Sequence, residues 1–134
     1  RLERAPLPAP LDGPARVAFA ATPVSSRDPS LFHKTARRER YDVLRAGRPG
    51  AFDVLLWNEA GRATEGTIGN LVAELDGERV TPPLDDGLLP GVFRAGLLAR
   101  GEVRERPLPR GDLGRARRLW LVNALRGWIE IALD

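Results

Sequence analysis

Lys34 is the single lysine of a chain that carries 21 lysine and arginine side chains. Arginine stays charged at any useful pH, whereas a desolvated lysine can shed its proton and act as a nucleophile, most readily by forming a Schiff base. On the count alone two readings stand: an accident of an arginine-biased composition, or the retention of one reactive amine. The segment Leu31-Phe32-His33-Lys34-Thr35 sets that amine beside apolar residues able to desolvate it. His33 reads as a structural or exposed histidine, because no second catalytic partner adjoins it, and Tyr41 as either core or a polar member of a site. A second stretch, Thr64-Glu65-Gly66-Thr67-Ile68-Gly69-Asn70, holds one carboxylate among glycines that let a ligand approach the backbone; alone it reads as an ordinary glycine-rich turn. A third, Leu89-Pro90-Gly91-Val92-Phe93-Arg94, opens a helix whose first N–H groups suit an anion, although many helices begin this way with nothing bound. Taken together, a lysine, a carboxylate some thirty residues on and an anion-binding helix start match the needs of pyridoxal phosphate (PLP).

These residues must be held by regular elements, and the chain supplies them. Arg16 to Thr22 reads as a strand closed by Pro23, and Thr35 to Ala46 as a helix ended by Gly47 and Pro49-Gly50. Phe52 to Asn58 and Asn70 to Leu75 read as strands, with Asp76-Gly77 turning the chain into Arg79-Val80-Thr81. A loop from Leu84 to Gly91 feeds a helix over Val92 to Arg100, capped by Gly101. Val103 to Leu108 alternates as one strand, Asp112 is placed to cap a short helix, and Leu119 to Asn123 and Trp128 to Leu133 close the chain as strands. This order predicts an α+β fold with a mixed, barrel-like sheet and flanking helices, not a doubly wound alternation.

Bulk composition narrows the function classes. At 134 residues with 43% hydrophobic content the chain can build one core. Residues 1–14, rich in Pro and Ala, read as a linker, and 15–134 as the domain; the start at Arg1 suggests a domain cut from a longer polypeptide. With no Cys and one His, neither thiolate nor histidine-cluster metal sites are expected. No long uncharged apolar run or signal-peptide pattern is present, so the expected setting is cytoplasmic, without a membrane. The net charge of +3 interleaves arginines with 18 acids, and the clusters at Arg37-Arg38-Glu39-Arg40 and Arg115 to Arg118 read as solvated helix faces, which disfavours nucleic acid as a partner.

Several segments together resemble the class IV aminotransferases, the fold-type IV PLP enzymes. They are Phe32-His33-Lys34-Thr35 with Arg38 and Tyr41-Asp42, Asn58 to Leu71, Thr81-Pro82-Pro83-Leu84, Gly87 to Arg94, and Leu121-Val122-Asn123-Ala124-Leu125. Within that family the likeness leans toward the 4-amino-4-deoxychorismate lyases, as in the lyase half of chains fused behind aminodeoxychorismate synthase component I. The resemblance implies that this chain is the larger, cofactor-carrying C-terminal domain. It implies that Lys34 holds PLP and serves as general acid/base, that Glu65 faces the pyridine nitrogen and that Leu89 packs on the ring. The main-chain N–H groups of Val92 and Phe93 would hold the phosphate, with Asn123 and Ala124 on the opposite side. The implied reaction releases pyruvate to give 4-aminobenzoate, a folate precursor. Branched-chain or D-amino-acid transamination and a non-catalytic module of the same fold are the alternatives. Two departures stand out. Many members carry Thr where this chain has Phe93, and nothing here corresponds to the family's N-terminal domain, which supplies a phosphate-binding arginine, part of the small-molecule pocket and much of a homodimer. Alone, the fragment is expected to bind PLP weakly and turn over poorly.

Overall fold

The computed structural model describes residues 13–29 and 34–134, with residues 34–36 described through their backbone alone. The expected linker up to residue 12, Leu31-Phe32, His33 and the side chain of Lys34 lie outside the described residues. Nine strands and three α-helices follow in the order β1 (Ala15–Phe19), α1 (Lys34–Ala46), β2 (Asp53–Trp57), β3 (Arg62–Gly66), β4 (Asn70–Leu75), β5 (Glu78–Thr81), α2 (Val92–Ala99), β6 (Arg104–Glu105), β7 (Leu108–Pro109), α3 (Arg110–Leu113), β8 (Arg118–Asn123) and β9 (Gly127–Leu133).

The strands form one sheet in the order β6-β5-β4-β8-β9-β1-β2-β3-β7, and an additional pairing of β3 with β4 closes its central six strands into a barrel. β1 runs parallel to both β2 and β9, while the pairs β2–β3, β3–β4, β4–β8 and β8–β9 are antiparallel. The fold is therefore α+β with a mixed, barrel-like sheet, as the element order predicted.

The burial pattern explains why several strands read as near-continuous apolar runs. Inside the barrel lie Val17, Leu55, Leu71, Ala73, Leu119, Leu121, Ile129 and Ile131. The alternate residues of the same strands meet helices: Val54 and Leu56 pack with Tyr41 and Leu44 of α1, and Val72, Trp120 and Val122 pack with Phe93 and Leu97 of α2. Strands covered on both faces lose the polar/apolar alternation of a half-solvated sheet. Each fully buried leucine in this set contributes roughly 2 kcal/mol of transfer free energy.

Turn chemistry fixes the register. Asp76 and Gly77 both adopt positive φ, 53° and 79°, the type I′ turn that matches the twist of β4 and β5. At the C-terminus of α2, Gly101 donates to the Leu98 carbonyl and Glu102 to that of Leu97, a Schellman closure with Gly101 at φ 72°.

Three local expectations differ from the structure. Arg115 to Arg118 form no helix face, because α3 ends at Leu113 and Arg118 already begins β8. The single strand expected over Val103 to Leu108 is two short ones with different partners: β6 pairs with β5, and β7 with β3. Asp112 lies inside α3, whose N-cap is Pro109. Among the described residues no helix is long and apolar enough to cross a membrane, and no cluster of His, Cys, Asp or Glu suits a metal.

Candidate functional site

The site is built around Glu65. In a regular strand Ala63 and Glu65 would share a face. Here Leu56 pairs with Glu65 and Trp57 with Ala63, so β3 carries one extra residue, Thr64, opposite the Leu56–Trp57 step. This bulge leaves Ala63 in the barrel interior while Glu65 turns to meet α1. Its carboxylate is 2% exposed. Oε2 accepts a hydrogen bond from the Tyr41 hydroxyl, and Oε1 accepts one from the Leu89 N–H at 3.2 Å. Burial pushes the Glu65 carboxyl up from its ordinary 4.5 to about 7, with the charge of Asp53 adding to the rise; the Tyr41 and Leu89 hydrogen bonds and Arg37 pull the other way. The phenol of Tyr41 is raised well above its ordinary value, first by burial and then by the neighbouring Glu65 charge.

Glu65 is paired across the sheet with Asn70, and both residues grip Leu89. Glu65 takes its N–H, and the Asn70 carboxamide donates to its carbonyl at 2.8 Å. The segment leading to α2 is thereby stitched to the β3–β4 hairpin. A Cβ at Gly91 would overlap the Asn70 carboxamide oxygen, and one at Gly69 would stand 2.6 Å from the Val122 carbonyl oxygen, so both approaches require glycine.

The turn over residues 67–69 is held from below by Asp53, which is 1% exposed. Its carboxylate accepts from the Thr67 N–H (2.9 Å), the Thr67 hydroxyl (2.6 Å), the Ile68 N–H (3.3 Å) and the Val54 N–H (2.8 Å). Removing this carboxylate orphans buried donors. Asp53→Ala is expected to lower stability by roughly 3 kcal/mol, read as a drop in the urea midpoint. A loss below a few tenths of a kcal/mol would mean that water replaces it.

Above this floor opens a cavity of about 690 Å³. Its wall includes Glu65, Leu89, Val92, Phe93, Asn123 and Ala124, together with Arg37, Arg38, Tyr41 and Arg45 of α1. Every candidate from the sequence except Lys34 therefore borders one space. Lys34 begins α1, whose later turns form one wall, and its side chain lies outside the described residues.

The start of α2 borders the cavity. α2 begins at Gly91, which offers no side-chain cap, and the first helical bond there is donated by Ala95 to the Gly91 carbonyl at 3.0 Å. The N–H groups of Val92 and Phe93 precede that bond and have no partner within the helix. The Phe93 ring leaves them, packing edge-on against Trp128 with centroids 6.5 Å apart. Asn123 acts through shape: its amide donates to the Ile68 carbonyl (2.8 Å) and its oxygen accepts from the Arg126 N–H (2.7 Å), tying the β8–β9 turn to the β3–β4 turn. Sequence reasoning missed Asp53 and Asn70. The one available signal was an acid at the head of an apolar strand and an amide closing a glycine-rich turn.

One cavity thus brings together a buried carboxyl whose proton affinity is raised and the uncapped start of a helix. The family model for amino-transferase class IV matches residues 2–133, and the chain belongs to this family of enzymes. A Schizosaccharomyces pombe protein provisionally named an aminodeoxychorismate lyase is 33% identical over 109 residues, covering 76% of this chain and 47% of the relative. A solved structure from Mesorhizobium loti, provisionally named an amino-acid aminotransferase, is 42% identical with a TM-score of 0.85, over 93% of this chain and 63% of that one. The 4-amino-4-deoxychorismate lyase from Pseudomonas aeruginosa is 28% identical with a TM-score of 0.77, over 90% and 48%. The chain thus spans about half of the curated relative and of the lyase structure, and under two thirds of the aminotransferase.

Proposed function

We propose that this chain is the cofactor-carrying part of a PLP-dependent 4-amino-4-deoxychorismate lyase, releasing pyruvate and leaving 4-aminobenzoate. The observation that carries the reading is Glu65, a buried carboxylate held by Tyr41 and Leu89 in a cavity that ends at the start of α2. Lys34 would anchor the cofactor through its amine, and Glu65 would face the ring nitrogen. Leu89 would pack on the ring. The N–H groups of Val92 and Phe93 would meet the phosphate, with Asn123 and Ala124 across from them. When bound, the group supplies an electron sink for bond cleavage next to the substrate amine. The chain's own tasks are to hold it, keep the ring nitrogen protonated through an anionic Glu65, and move protons at the Lys34 amine. The likenesses to the S. pombe relative and to the P. aeruginosa lyase support the choice of reaction.

A second reading is an aminotransferase of the same site, favoured by the 42% identity to the M. loti protein. The assay that decides supplies aminodeoxychorismate and PLP to the full natural polypeptide, where a further domain and a homodimer would complete the pocket. Formation of 4-aminobenzoate supports the lyase. Transfer of an amino group to a keto acid without that product overturns it.

A further inference from the structure

We propose that Tyr41 is a positioning residue for Glu65: its hydroxyl fixes one carboxylate oxygen and holds that group in its anionic form where it borders the cavity. This rests on the reading that Glu65 meets the ring nitrogen of the cofactor. Tyr41 does one thing that phenylalanine could not. It is 8% exposed and packs with Ala20, Val24, Val54 and Leu56, an apolar nest that a plain phenyl ring would fill equally. Its hydroxyl is therefore a polar group buried at a cost, and it is spent on Glu65.

The direction of that bond matters. Donation of an O–H to a carboxylate favours the ionised acceptor. Glu65 is faced from four sides: by Tyr41 and Arg37 of α1, by Asp53 of β2, by the Leu89 N–H ahead of α2, and by the buried strand around it. Burial and Asp53 oppose the charge, and Tyr41 is the largest of the groups that sustain it. An anionic carboxylate accepts a hydrogen bond from a protonated aromatic nitrogen and stabilises its charge, whereas a neutral carboxyl keeps its proton on oxygen and donates a hydrogen bond to the uncharged nitrogen. Tyr41 also sits seven residues after Lys34 on α1. The helix that begins with the lysine thus carries the group that sets its carboxylate partner.

The test uses the cofactor-free chain. With side-chain carboxyl ¹³C labelling of glutamate, the Glu65 resonance is followed by NMR against pH in the parent and in Tyr41→Phe. The parent midpoint is expected near 7, and the variant midpoint higher by about one unit, a tenfold gain in proton affinity. An unchanged or lower midpoint overturns the proposal. Should Tyr41→Phe fail to fold, the parent and Glu65→Gln provide the reciprocal measurement, because Tyr41 is the single tyrosine of the chain and its ring-carbon NMR resonance is read without interference from another. In the parent that resonance is expected to step as Glu65 titrates near pH 7 and in Glu65→Gln to stay level, and a parent resonance that does not move across that range likewise overturns the coupling. Neither measurement involves PLP. A failed titration therefore removes Tyr41's role and leaves the lyase reading standing, while failure to bind PLP removes that reading and leaves the titration result intact.

Discussion

Under the proposed reading, Lys34→Ala in the full natural polypeptide is expected to abolish the absorbance band near the visible edge that bound PLP would give, and to lower 4-aminobenzoate formation by at least roughly 10³-fold. The expectation follows from the chemistry of the residue type. Among 21 cationic side chains this one alone can lose its proton at accessible pH, and only a neutral amine can attack a carbonyl carbon or return a proton to product. Lys34→Arg separates charge from reactivity. It keeps a cation at the start of α1 and is expected to fail as completely as alanine. Far-UV circular dichroism on both variants checks that the barrel is intact. If either retains the band, the covalent role assigned to Lys34 is wrong; if only arginine retains activity, the position serves charge alone.

Glu65→Gln is expected to have the second largest effect, roughly a 10²-fold loss of turnover, because under the proposed reading Glu65 faces the ring nitrogen and glutamine could not hold a proton there. It also carries a signature in the cofactor-free chain. Between pH 4.5 and about 7 the folded protein holds the Glu65 proton more tightly than the unfolded chain does. Folding stability therefore falls as pH rises through that window, by about 3 kcal/mol in all. The sign is opposite to that of a salt-bridged carboxylate, which gains stability as it ionises. Urea unfolding at a series of pH values from 4 to 8 should show this decline in the parent and a flatter profile in Glu65→Gln. Parallel profiles would show that the carboxylate is hydrated in solution.

The carboxylate and the α2 start, which the structure brings to one cavity, stand out in the sequence through residue type, one acid among glycines and one glycine before an apolar helix; the lysine stands out only as the one amine. The elements could be read for a similar reason, since Asp76-Gly77 and Gly101 dictate backbone conformations that few other residues accept. What stayed hidden depends on register. No pattern in Arg62 to Gly66 announces that Thr64 is an extra residue, yet that irregularity decides which way Glu65 points. Tyr41 was visible as a neighbour of Lys34, but its partner lies on another element, 24 residues away. Asp53 looked like the polar start of an apolar run, and only the folded chain shows four donors converging on it. The division of Val103 to Leu108 into β6 and β7 likewise reflects two different neighbours, not a break in its own alternation.

The pairing of β1 with β9 bears on how this molecule acquires its shape. Val17 lies beside Leu133, more than a hundred residues away in sequence, and the same β1 also borders β2. Closure of the cylinder must wait for a contact of very high sequence separation, the kind that slows refolding. The turn between β8 and β9 supplies Asn123 and Ala124 to the cavity wall, so the strand that makes this long-range contact also follows directly on part of the binding space. The β4–β5 hairpin and the helices, built from local contacts, can arise much sooner. In a refolding experiment the recovery of helical signal should run ahead of any probe seated beside Glu65. The interval between them would time the meeting of the two parallel strands.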